Sequence, residues 1–152
     1  MRLAQALILR ADYQKRVEQL KQRLLNNAKV QEGDTPSEDP QTLLSELSRL
    51  ADDLVSLIQR INQTNSQTAF ADGKTLADAL AQRDMLKIQH GVYRDLAEAA
   101  TIKQDRYSKS EVKFQSTVNV AAIQHQADEF AKAYRDLDAQ IQEANWRTDV
   151  IE

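Results

Sequence analysis

No cysteine occurs in the chain, so disulfides, thiolate metal sites and cysteine nucleophiles are excluded together. Glycine and proline are scarce, at three and two of 152 residues, and aromatics make up 5%. A chain so poor in turn formers and bulky flat side chains does not have the composition of a sheet protein. No stretch approaches the roughly 18 to 20 apolar residues that a membrane-spanning helix needs. The opening segment MRLAQALILRAD has a basic residue and a short apolar run, but Gln5 and Arg10 interrupt it before the core of a signal peptide could fit. A cytoplasmic location is the expectation that follows. The signatures of nucleotide and metallohydrolase chemistry are missing as well: there is no P-loop, no glycine-rich dinucleotide turn and no HExxH. Histidine appears only as His90 and His125. Di-iron bundles use Glu-x-x-His, whereas Lys87 and Ala122 stand three residues before these two. His125 and Glu129 lie one helical turn apart, but two ligands make no metal site. The sequence therefore gives no catalytic residue, metal or cofactor, and it leans away from an enzyme.

What is present is the diet of long helices, dominated by Ala, Leu, Gln, Arg, Asp and Lys, with 41% apolar content for a core. The net charge of −3 makes no demand for nucleic acid. Its distribution is uneven. Residues 1–31 carry seven basic side chains against two acidic, and residues 119–152 carry three against seven. Such segments suit one another as neighbours, and they equally suit two solvated faces.

Apolar spacing at alternating steps of three and four is the strongest signal. Leu43, Leu47, Leu50, Leu54, Leu57 and Ile61 line one helical face at coiled-coil spacing. Val120, Ile123, Ala127, Phe130, Tyr134, Leu137, Ile141, Ala144 and Thr148 line another, with Asn119 placed as its N-cap. The first segment gives Leu3, Ala6, Arg10, Tyr13, Val17, Leu20, Leu24 and Ala28. For the third, Ala81, Met85, Ile88, Val92, Leu96 and Ala99 are expected as the inner face. These rows predict helices over about 2–30, 40–66, 75–102 and 120–147. Asp39 followed by Pro40 makes a sound start for the second. Val112, Phe114, Ser116 and Val118 alternate instead, so a short strand over about 111–118 is expected to pair with residues near 69–71. The predicted fold is mainly α: a single domain formed by an antiparallel bundle of four long helices in coiled-coil-like hairpins, with a small β-ribbon at one end. Seams this narrow leave apolar surface uncovered, so a homo-oligomer is expected.

Polar residues that fall on these rows are the candidate binding positions. The second helix's seam runs into RINQTNSQT and continues to Thr64 and Asn65. Polar groups there either satisfy the last carbonyls and fix register or line a small polar pocket, with Asn62 and Asn65 as the binding candidates. Asn62-Gln63-Thr64 also matches a glycosylation sequon, which a site within a helix makes a chance match. Arg10 interrupts an apolar row and would need a carboxylate, with Asp84 or Asp12 expected to supply it. On the third helix Arg83, Lys87, His90 and Arg94 form a basic stripe. A stripe of this kind is a solvated face, a surface for an acidic protein partner, or a groove for phosphate or nucleic acid. Trp146, off the fourth helix's main row, is an anchor against the ribbon or a second subunit.

The segments LAQALILRADYQKR, NAKVQEGDTPSEDP, INQTNS, DGKTLADALAQRD, RYSKSEVKFQSTV and QEANWRTDV together resemble the septicolysin-like family of short bacterial proteins, over essentially the whole chain. That resemblance implies a cytolysin by name and carries over no catalytic residue. The reading from residues is a homo-oligomeric structural or protein-interaction module. A membrane-active protein and a phosphate or nucleic-acid binder are the alternatives.

Overall fold

The computed structural model describes residues 1–103 and 112–152. Four helices carry the chain: α1 (Leu3–Asn26), α2 (Pro40–Gln67), α3 (Leu76–Ala100) and α4 (Val120–Arg147). Local chemistry sets several of their ends. Asp39 accepts the Gln41 amide at 3.2 Å and the Thr42 hydroxyl at 3.1 Å, with Pro40 at the first helical position of α2. Asn119 Oδ1 accepts the Ala122 amide at 3.1 Å at the start of α4. α1 ends where Asn27 donates its side-chain amide to the Arg23 carbonyl at 2.8 Å and accepts the Glu38 amide at 3.1 Å. Helix content this high makes the protein mainly α.

Contacts divide the chain into two compact units, Met1–Ala77 with Gln142–Glu152, and Asp78–Ile141. In the first, α1 and α2 form a hairpin whose core joins Leu3, Ala6 and Leu20 to Leu43, Leu57 and Ile61. The hairpin's turn is clipped by Arg23, whose Nε donates to Glu38 at 3.0 and 3.2 Å. This hydrogen bond from Arg23 holds the Glu38 carboxyl below its ordinary pKa. A folded-state pKa below the unfolded one gives stability that is present above the unfolded value and lost as pH falls through the folded one. Glu38→Gln is accordingly expected to lower stability by a constant amount above the ordinary carboxylate range and to flatten the profile below it, with the difference from wild type vanishing in strong acid, as read by urea unfolding at stepped pH.

The polar end of the α2 seam has a structural answer. Thr64 is 1% exposed. Its hydroxyl donates to the Arg60 carbonyl at 2.7 Å and accepts the Ile151 amide at 3.1 Å, while Arg60 Nε donates to the Ile151 carbonyl at 3.0 Å. The last residues are also tied to the first: the Leu3 amide donates to Thr148 at 2.8 Å, the Val150 amide to Met1 at 2.9 Å, and Arg2 pairs with Asp149 at 3.1 Å. A threonine on an apolar row thus bonds the terminal strap. Thr64→Val keeps the shape and removes the acceptor, so it should cost about 1–2 kcal/mol. Thr64→Ser should recover most of that loss in the same urea titration.

The expected ribbon is not there among the described residues. Among the described residues the only β pairings are isolated bridges, Arg2 with Asp149 and Ala69 with Thr75. Ala69 pairs across its own turn, which Asp72 and Gly73 close with φ of 51° and 73°. Residues 112–118 run without strand, and residue 111 lies outside the described residues. Alternation over four side chains reads as a strand only if a partner edge is free. The local turn at residues 69–75 uses that edge itself.

In the second unit α3 and α4 run antiparallel. Arg83, early on α3, meets Asp138, late on α4, while His90 and Tyr93, later on α3, meet Ala127 and Phe130, earlier on α4.

Candidate functional site

α3 carries two rows at the same spacing, on nearly opposite faces. Ala79, Arg83, Leu86, His90, Tyr93 and Ala97 step by four and three and are buried or half-buried. This row packs on α4. Arg83 Nη1 donates to Asp138 at 2.9 Å, and the Ala127 carbonyl accepts from His90 Nδ1 at 2.9 Å. Tyr93 stands edge-on to Phe130 with ring centroids 5.0 Å apart.

The other row is the one expected inside, and this expectation is corrected. Ala81, Met85, Ile88, Val92, Leu96 and Ala99 are all exposed, with Met85, Ile88 and Val92 at 52%, 58% and 57%. Hydropathy favours this row, so spacing and hydropathy together select the wrong face. What decides is α4, which offers a carboxylate to Arg83 and a carbonyl to His90. A polar residue on the inner row is then satisfied rather than penalised. The open row runs on into an apolar groove of about 380 Å³ at the end of α3, lined by Leu96, Ala99, Ile102 and Phe114.

The basic stripe is divided by this geometry. Arg83 is turned inward and lies 3.5 Å from Asp84 as well as against Asp138. His90 is half-buried with Nδ1 engaged, and because a carbonyl only accepts, that nitrogen carries the hydrogen. Arg94 pairs with its neighbour Asp95 at 3.1 Å. Lys87 is left exposed and joins His90, Ala131, Tyr134 and Arg135 around a cleft of about 250 Å³. Tyr134 was readable only as a core residue and Arg135 carried no signal. Only the α3–α4 register brings either to Lys87.

The remaining candidates do not converge. Arg10 is half-buried and has no ion pair among the described residues. Asp12 pairs with Arg16 at 2.9 Å and Asp84 with Arg83, so neither expected carboxylate serves Arg10. Asn62 is exposed and Asn65 half-exposed, while Thr64 between them makes the buried bonds. Trp146 is 55% exposed, with no ribbon to anchor against among the described residues. His125 and Glu129 form an exposed pair at 3.9 Å, and no group of three metal ligands occurs among the described residues. No helix among them is long and apolar enough to cross a membrane.

Fold and surface together define a mainly α protein of two helical hairpins, one of which presents an open apolar row. Residues 10–150 match the model of a family of unknown function, DUF6847, and the chain belongs to that family. It is similar to a solved structure described as that of a functionally unknown conserved protein from Corynebacterium diphtheriae, with 48% identity over 99% of each chain and a TM-score of 0.94. No curated protein matches it. Neither finding bears on the septicolysin-like resemblance.

Proposed function

We propose that the protein is a homo-oligomeric interaction module in which the open row of α3 is covered by the same row of a second copy. One observation carries this reading: six successive apolar positions at helix-interface spacing face outward on a helix whose opposite row is already occupied.

The row supports a second copy of this chain because its sizes mirror about residue 90. Ala81 and Ala99 lie at equal distances from that centre, as do Ile88 and Val92, with Met85 and Leu96 nearly so. An antiparallel pair of α3 helices across a two-fold axis would therefore set small on small and large on large, as a self-complementary interface requires. Positions 84, 91 and 98 recur along one edge of the row, and the axis at residue 90 brings Gly91 to within two residues of Gly91 of the second copy. Glycine in a helix interior costs about 1 kcal/mol against alanine. Among the described residues nothing beyond its chain neighbours and its own helix backbone lies within 4 Å of where its Cβ would stand. Close approach of a second backbone would make use of the missing Cβ.

The test is the mass of the protein by multi-angle light scattering, for wild type and for row variants. A wild type that stays at the mass of one chain up to high micromolar concentration sinks the reading.

A further inference from the structure

The cleft on the α3–α4 pair has a charge arrangement that no partner among the described residues explains. Lys87 and Arg135 line it from opposite helices, and neither has an ion pair among the described residues. Side chains three positions apart on a helix are neighbours. The acids so placed are Asp84 beside Lys87 and Asp138 beside Arg135, and Arg83 engages both, at 3.5 and 2.9 Å. One half-buried guanidinium thus takes up the carboxylates that would otherwise quench the two cations. His90 adds its ring to the same wall, with Nδ1 given to the Ala127 carbonyl and Nε2 as the remaining nitrogen. Tyr134 adds a phenol, and Ala131 keeps the floor small.

We propose that this cleft binds a small oxyanion, as free phosphate or a phosphate monoester. The Arg135 guanidinium can give two parallel N–H bonds to such a group, and Lys87 a mobile point charge from the other side. Tyr134 is a further donor, and its ring with Ala131 offers an apolar wall to the body of a monoester. The volume of about 250 Å³ admits a phosphate with a small substituent. The site uses none of the outward row of α3, so it stands whether or not two copies associate.

The presence of only two histidines supplies an internal control. The full chain, labelled with ¹⁵N, is titrated with sodium phosphate at constant pH, with chloride exchanged to hold ionic strength. The imidazole signals of His90 should move along a saturating curve. Those of His125, exposed beside Glu129, should stay in place. Lys87→Gln and Arg135→Gln should each weaken binding at least about tenfold with an unchanged far-ultraviolet spectrum, since both side chains are exposed. Phenyl phosphate in a parallel titration separates the two sources: tighter binding assigns the site to a monoester, equal binding to the free ion. Non-saturating shifts, equal movement of both histidines, or wild-type affinity in both variants would overturn the proposal.

Discussion

Ile88→Lys and Val92→Lys, singly, should shift the protein from twice the mass of one chain to that of one chain over the micromolar range. Both side chains lie near the centre of the outward row and are more than half exposed in the subunit, so a lysine there meets water and costs the fold little. Across a two-fold interface each substitution enters twice, placing two ammonium groups in a dry seam where burial of an unpaired charge is strongly unfavourable. A loss of about 3 kcal/mol corresponds to roughly a hundredfold in dissociation constant, well within reach of sedimentation equilibrium. Charge at the rim sets a second expectation. In the proposed dimer the axis at residue 90 sets Asp84 within two residues of Glu98 of the second copy, and Arg83 beside Asp84 only partly offsets that repulsion. Added salt should therefore tighten the dimer, the reverse of an interface held by opposite charges. Dimers that persist in both lysine variants, or that dissociate as salt rises, would show that another surface is responsible.

Ile61→Ala should produce a large loss of stability. Ile61 is fully buried on the α2 seam, flanked by the buried Leu57 and Thr64 and close to the point where the terminal strap is tied down. Truncation removes the apolar transfer energy and leaves a cavity that close-packed helices refill only in part, a cost of about 2–5 kcal/mol. Domains of this size are stable by about 5–15 kcal/mol, so a large share of the whole disappears. The measurement is the urea midpoint, which should fall with an unchanged slope. Ile88→Ala deletes the same atoms from an exposed position and should change subunit stability by no more than about 0.5 kcal/mol. Equal effects of the two would mean that the inward and outward rows have been exchanged.

These two isoleucines mark where the sequence was legible. Leucines at steps of four and three identified the inner face of α2, because no second row of comparable apolarity competes there. The α4 row was equally clear, and Ala127 and Ile141 on it are fully buried. α3 was misread because it has two rows, and the greasier of them faces water. Arg83 and His90 were singled out from spacing as members of a basic stripe. Periodicity has no means of showing that one turns to Asp138 and the other to the Ala127 carbonyl, since those partners lie about fifty and forty residues away along the chain. Thr64 reads as the polar continuation of the α2 seam, but the asparagines beside it, not Thr64, stand among the binding candidates. A buried hydroxyl earns its place only through the amide that reaches it, here from Ile151.

The sequence by itself determined the helices. Spacing, caps at Asp39 and Asn119, and the scarcity of glycine and proline are local properties, and local backbone preference acts within a few residues. It also settled the absence of thiol chemistry, which is a matter of composition. Tertiary structure alone decided which row of α3 is core, that residues 112–118 form no strand, and that Lys87 and Arg135 share one cleft. Each of those outcomes depends on what a distant segment presents at van der Waals or hydrogen-bond range, and the free energy of that meeting is carried by neither segment alone.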